Sequence, residues 1–256
     1  FKKKKIDNFK PSIPPPDNPI PSGMIKELTQ MTGAEYYIHE YKNIDGQICF
    51  YVRRNEDKYK GKNFLPMSYD PEKKTWVQKA WPGDRPLFRE QRLKGSDKPV
   101  LVVEGEKSVM AGEDNHIFSD YNIVCWSGGS NQVHLTNYQH LKDKHVTLWP
   151  DNDSNGEEAM IELAINLLDN NITENIKIIN PDPMGMIPKG WDIADPFPEE
   201  VENEGLTLGG MLNTAKQFNP DNFKKEIKKI RDRLEEREAK EQLFKISEQY
   251  IYVRAL

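Results

Sequence analysis

The chain has 256 residues, 36% hydrophobic and 30% charged, with a formal net charge of −5; this is enough for one large domain or two small ones. No apolar run approaches the roughly 20 residues of a membrane span, and no secretory leader is recognisable, so no membrane partner and a cytoplasmic location are expected. Two cysteines, Cys49 and Cys125, lack CxxC spacing, which excludes a zinc ribbon or a disulfide framework and predicts buried, unreactive thiols.

Charge is uneven along the chain. Residues 1–95 hold 19 Lys+Arg against 12 Asp+Glu, and residues 96–256 hold 17 against 29. A basic front suits a polyanion and an acidic back suits metal ions, although Lys2 to Lys5 supply four of the front charges. The chain opens on Phe1, and the expectation is a piece of a longer protein.

In chain order, residues 1–22 read as a proline-rich linker, with prolines at 11, 14, 15, 16, 19 and 21. Residues 34–42 (AEYYIHEYK) and 47–54 (QICFYVRR) flank an Asn-Ile-Asp-Gly turn, a hairpin signal. Residues 63–69 and 75–80 predict two more strands, giving a small antiparallel α+β subdomain over 23–95. Arg53, Arg54, Lys58, Lys60 and Lys62 interleave with Tyr51, Tyr59 and Phe64. Such a pattern can hold phosphates and stack bases; equally, it is a solvated sheet edge. Residues 81–95, with Pro82, Gly83, Pro86 and Gly95, read as the connection containing the domain boundary.

A second domain over 96–200 alternates strands and helices, which predicts βαβ units in a parallel sheet flanked by helices. Strands are expected at 100–103 (VLVV), 122–126 (NIVCW), 145–149 (HVTLW) and 175–180 (NIKIIN), and helices at 107–115, 132–142 and 157–170. A loop over 184–198 carries KGWDIAD. In the extension 201–256, Phe223, Ile227, Ile230 and Leu234 form the apolar stripe of a charged helix over 222–240.

Carboxylates recur just past the strand ends, where open α/β sheets keep their ligand sites. Glu104 follows the first parallel strand, Asp151 and Asp153 the third, and Asp192 the fourth. Acids converging there would repel one another unless a divalent cation sat among them. Gly105, Gly128, Gly129 and Gly156 allow a phosphate or backbone to approach that edge. Taken singly, each acid also reads as a turn or helix cap. Trp126, Trp149 and Trp191 read as core, and the five histidines show no paired metal-ligand spacing.

The combination VLVVEGEKS, WSGGS, LWPDNDSNG and KGWDIAD resembles the Toprim domain, a Rossmann-like fold, in the form found in DnaG-type primases and in the primase–helicases of phages and mobile elements. Less closely, YKGKNFLP and RPLFRE resemble the basic half of a primase core. The resemblance implies template-directed RNA primer synthesis by Mg²⁺-dependent nucleotidyl transfer, with Mn²⁺ as substitute. It makes Glu104, Asp151 and Asp153 catalytic, and adds Asp192 to them as metal ligands. Arg53, Arg54, Lys60, Lys62 and Lys107 become contacts to nucleic acid or nucleotide. Single-stranded DNA, NTPs and a helicase domain or protein become the partners. Two features depart from a complete primase–helicase: no zinc ribbon is present, and Gly105-Glu106-Lys107-Ser108 lacks the first half of a P-loop. A Toprim nuclease and a non-catalytic nucleic-acid-binding module are the alternatives.

Overall fold

Two hydrophobic periodicities build two sheets. In the computed structural model, which describes residues 9–14, 35–57 and 61–254, β1 (Glu35–Lys42), β2 (Ile48–Asp57), β3 (Gly61–Asp70) and β4 (Thr75–Val77) form an antiparallel meander. The β1–β2 turn closes because Asn43 Oδ1 accepts from Asp45 N–H and Gln47 N–H, while Gly46 adopts φ +80°. Alternation along β2 then divides its side chains. Phe50 and Val52 join the core shared with the second sheet, and Tyr51 packs with Met67, Tyr69 and Trp76 on the opposite face. Ser12 N–H donates to Tyr69 O at 3.3 Å, which brings the short 9–14 segment against this sheet. Lys2 to Lys5, Lys58 and Lys60 lie outside the described residues.

The second sheet contains β5 (Val100–Val102), α1 (Glu106–Asp114), β6 (Asn122–Val124), β7 (Val146–Leu148), α2 (Ser154–Asp169) and β8 (Ile176–Ile178) in chain order. Its strand order is β6-β5-β7-β8, parallel throughout, as the βαβ alternation predicts. β5, β6 and β7 are buried throughout because both faces are covered, whereas β8 leaves Lys177 exposed. Two short helices follow, α3 (Glu199–Asn203) and α4 (Leu208–Asn213), and then β9 (Lys216–Gln217), which adds antiparallel to β8. The sequence reading has none of these three, since each is too short to show a period.

Residues 81–95 are tied to the sheet. Phe88 pairs with Cys125 and Arg85 with Thr136 as isolated bridges, and Leu87, Phe88 and Leu93 are buried. This pairing corrects the helix expected over 132–142. Thr136 is held extended opposite Arg85, so the segment divides into 3-10 turns at Ser130–Leu135 and Gln139–Leu141. Cys49 and Cys125 are buried thiols, and burial pushes the Cys49 pKa up to about 11.

The last helix, α5 (Lys224–Arg254), docks on α2. Ile227, Ile230 and Leu234 enter the core beside α2, flanked by Lys229–Glu158, Arg233–Glu158 and Arg233–Glu162 ion pairs. Among the described residues no helix is both long and apolar enough to cross a membrane. Ile230 is fully buried, so Ile230→Ala is expected to destabilise the chain by about 2–5 kcal/mol in urea unfolding.

Candidate active site

Parallel pairing places Val102 beside Leu148, so the chain leaves β5 and β7 side by side at one sheet edge. Glu104 and Asp151 occupy those exits, and Asp151 N–H donates to Glu104 Oε1 at 3.2 Å. Gly156, in the first turn of α2, lies against both. A Cβ there would collide with Glu104 Oε1 and lie 2.6 Å from Asp151 O. Only glycine admits that approach.

Asp153 caps α2: its Oδ1 accepts from Asn155 N–H at 2.9 Å and Gly156 N–H at 2.8 Å. The cap reading of this residue therefore holds for one oxygen, while its charge still acts on Glu104 and Asp151. Asp192 arrives on the 184–198 loop, which the intervening Asn152 fastens to the end of β7. Asn152 N–H donates to Trp191 O at 2.9 Å, and its Nδ2 donates to Ile187 O at 2.8 Å and to Pro188 O. Asn152 is thus a positioning residue that sequence reasoning passed over as a turn former.

Crowding shows in the titration behaviour. Burial, then the charges of Asp153 and Asp192, pushes the Glu104 carboxyl up to about 7, opposed by the Asp151 N–H. Burial followed by Glu104, Asp192, Asp153 and Asp195 pushes Asp151 up to about 8. A divalent cation relieves such mutual repulsion, and carboxylate oxygens suit Mg²⁺. Among the described residues, however, no three His, Cys, Asp or Glu side chains gather around one point. The fit is to an ion held by two carboxylates and completed by water or phosphate oxygens, not to an all-protein cage.

The predicted basic contacts separate. Arg54 lies over the Phe64 ring at 5.7 Å and lines a 330 Å³ cavity between the two sheets, together with Trp81, Arg85, Glu104 and Gly128. Arg53, one residue earlier on β2, falls on the opposite face and does not line it. Lys62 is paired in register with Glu56 on β2, and Lys60 is outside the described residues. Lys107, in the first turn of α1, pairs with Asp195 at 3.6 Å. A second, larger cavity of 1050 Å³ opens on the Asp153 side, bounded by Asn180, Lys216 and Phe223. Glu104 thus lines the first cavity and Asp153 the second.

Two further groups escaped the sequence reading. Tyr41 donates its hydroxyl to buried Glu106 Oε1 at 2.7 Å, which joins the antiparallel sheet to the start of α1; burial first, then the Glu106 charge, holds this phenol well above its usual range. Arg85 is buried in the cavity wall. Its signal was a lone arginine within a Pro/Gly-rich connection, which carries no period.

No family model matches the chain, and no curated protein matches it. Solved structures do show similarity. One chain of the bacteriophage T7 lagging-strand DNA polymerase interacting with primase domains of two gp4 subunits, bound to an RNA/DNA hybrid and dTTP, is 18% identical. That alignment covers 82% of this chain and 95% of the other, with a TM-score of 0.48. The DnaG primase catalytic domain bound to ssDNA is 18% identical, covering 72% of this chain and 54% of that one (TM-score 0.43). A DNA primase domain from Pseudomonas aeruginosa is 17% identical, covering 75% and 50% (TM-score 0.39).

Both raised carboxyls keep protons in the folded chain at a pH where the unfolded chain, with ordinary values near 4, has lost them. Below about pH 4 both states are protonated and nothing is lost. As pH rises from about 4 to 8 the unfolded state is favoured, and above that the loss is constant. Without divalent cations, the melting temperature of the wild type relative to Asp151→Asn is expected to fall across that window. Mg²⁺ at pH 8 should raise it for the wild type and much less for Asp151→Asn.

Proposed function

We propose that this chain is the polymerase core of a DNA primase, making RNA primers on single-stranded DNA from NTPs, within a longer primase or primase–helicase. One juxtaposition carries the reading: Glu104, which accepts from Asp151 N–H, lines a cavity of nucleotide size whose walls hold two guanidiniums, Arg54 and Arg85, and the aromatic rings of Phe64 and Trp81. Acids, cations and stacking faces at one point match the three parts of a nucleotide substrate: metal-bound phosphate, free phosphate oxygens and base.

In this reading the aromatic faces hold the base and the guanidiniums hold phosphate oxygens, which sets the α-phosphorus in line with a 3′-hydroxyl; its attack forms the new P–O bond as the bond to the β-phosphate breaks and pyrophosphate leaves. Glu104, at the cavity wall, would take the hydroxyl proton. Asp151 and Asp153, with Glu104 and Asp192 beside them, would hold Mg²⁺ or Mn²⁺. When bound, such an ion neutralises triphosphate charge and favours the attacking alkoxide. Asn152 ties the loop that carries Asp192 to the end of β7.

The test is dinucleotide synthesis from NTPs on single-stranded DNA with Mg²⁺, compared with the double variant Asp151→Asn/Asp153→Asn. Product is expected from the wild type and a loss of about a hundredfold or more in the variant, corresponding to the several kcal/mol that metal-assisted charge stabilisation supplies. Nicking of labelled DNA with no dinucleotide formed would instead identify a nuclease. Unaltered DNA binding with neither activity would identify a binding module.

A further inference from the structure

Arg85 is a buried cation with no ion-pair partner among the described residues. It is 7% exposed, and among the described residues its guanidinium is held by neutral oxygens: Nε donates to Trp81 O at 2.8 Å, and Nη1 donates to Ser127 O at 3.3 Å and to Gln132 Oε1 at 2.5 Å. Glu104 and Glu106 line the same cavity, yet neither forms an ion pair with it. Nη2, with two N–H groups, has no partner among the described residues. A buried charge in that condition is costly unless something anionic completes it.

The turn facing Arg85 is shaped for the same ligand. Gly128 and Gly129 adopt φ +100° and +74°, and their N–H groups donate to no acceptor among the described residues. Backbone N–H groups left open in a glycine turn beside a guanidinium can add donors for an anion. A Cβ on Gly128 would collide with Gln132 Oε1 and lie 3.2 Å from Arg85 Nη1, so a side chain there would displace the groups that hold the guanidinium. The cavity, at 330 Å³, has room for one nucleotide and not for a strand.

We propose that Arg85 and the 127–129 turn form a phosphate-binding subsite of the inter-sheet cavity, one that takes the phosphates of a nucleoside triphosphate. This deepens the nucleotidyl-transfer reading and rests on it for the identity of the ligand. Arg85 presents a planar, pre-oriented pair of donors on Nη2, the geometry that phosphate oxygens accept best. Its three neutral anchors fix the fork without cancelling its charge, so little is lost in ordering when phosphate arrives. Arg54 lines the same cavity, and the two guanidiniums together account for more than one phosphoryl group.

The experiment compares the full chain with Arg85→Gln and Arg85→Lys. Binding of ATP and of adenosine is measured by calorimetry with Mg²⁺, and binding of a single-stranded DNA oligonucleotide by fluorescence anisotropy. Arg85→Gln is expected to weaken ATP by about 10- to 100-fold, as for a lost charge-assisted hydrogen bond, with adenosine and DNA unchanged and KM for NTP raised far more than kcat falls. Arg85→Lys should recover part of the loss. Inorganic tripolyphosphate should displace ATP from the wild type, a readout that does not depend on any variant folding. Equal loss of ATP and adenosine, loss of neither, loss of DNA affinity alone, or failure of tripolyphosphate to compete would each overturn the proposal. If ATP binding depends on Arg85 but no primer is made, the subsite stands and the primase reading falls. If primers are made and ATP binding ignores Arg85, the reverse holds.

Discussion

Glu104 and Asp151 leave adjacent parallel strands at the same height, and a carboxylate removed from water costs free energy that grows when a second one is brought beside it. Much of the surrounding structure answers that cost. The Asp151 N–H is turned onto Glu104, Gly156 keeps the first turn of α2 free of a Cβ that would collide there, and both acids hold protons into the neutral range. None of this removes the repulsion. A site that stores it is one that gains by taking up a cation, and the neighbouring carboxylates of Asp153 and Asp192 add to that gain.

The antiparallel sheet is what turns an acidic edge into a cavity. It shares a core with the parallel sheet through Tyr41, Phe50 and Val52 on one side and Phe88, Leu101 and Val103 on the other. The Tyr41–Glu106 hydrogen bond fixes where the two meet. The 81–95 connection runs through this interface instead of outside it, which is why Trp81 and Arg85 share one 330 Å³ space with Glu104. A boundary drawn in that connection from its prolines and glycines separates residues that the fold uses together.

Much of the second sheet was legible because each element carries a local cause. Short runs such as Val100–Val102 and Val146–Leu148 are buried on both faces and bounded by turn residues, so strand, turn and acid could be read together. The apolar stripe of Ile227, Ile230 and Leu234 foretold how α5 docks. The helix over 132–142 failed because Thr136 pairs with Arg85, some fifty residues away, and a distant backbone partner overrode local preference. Arg53 and Arg54 looked equivalent side by side in the sequence, whereas strand geometry puts them on opposite faces. The 216–217 strand has only two residues, too few for any pattern, and it exists because β8 offers an edge.

By itself the sequence determined where the acids stand: carboxylates following strand ends, with glycines where another segment must come close. Those features are local, since a turn residue or a strand-end acid acts wherever its own strand terminates. Tertiary structure alone decided which acids stand together, partly buried, that Asn152 straps the Asp192 loop beside them, and that Arg85 from the connection enters the cavity with no ion-pair partner among the described residues. These depend on contacts between segments far apart in the chain, where burial and Coulomb energy are set by distance in space and leave no trace in spacing along the sequence.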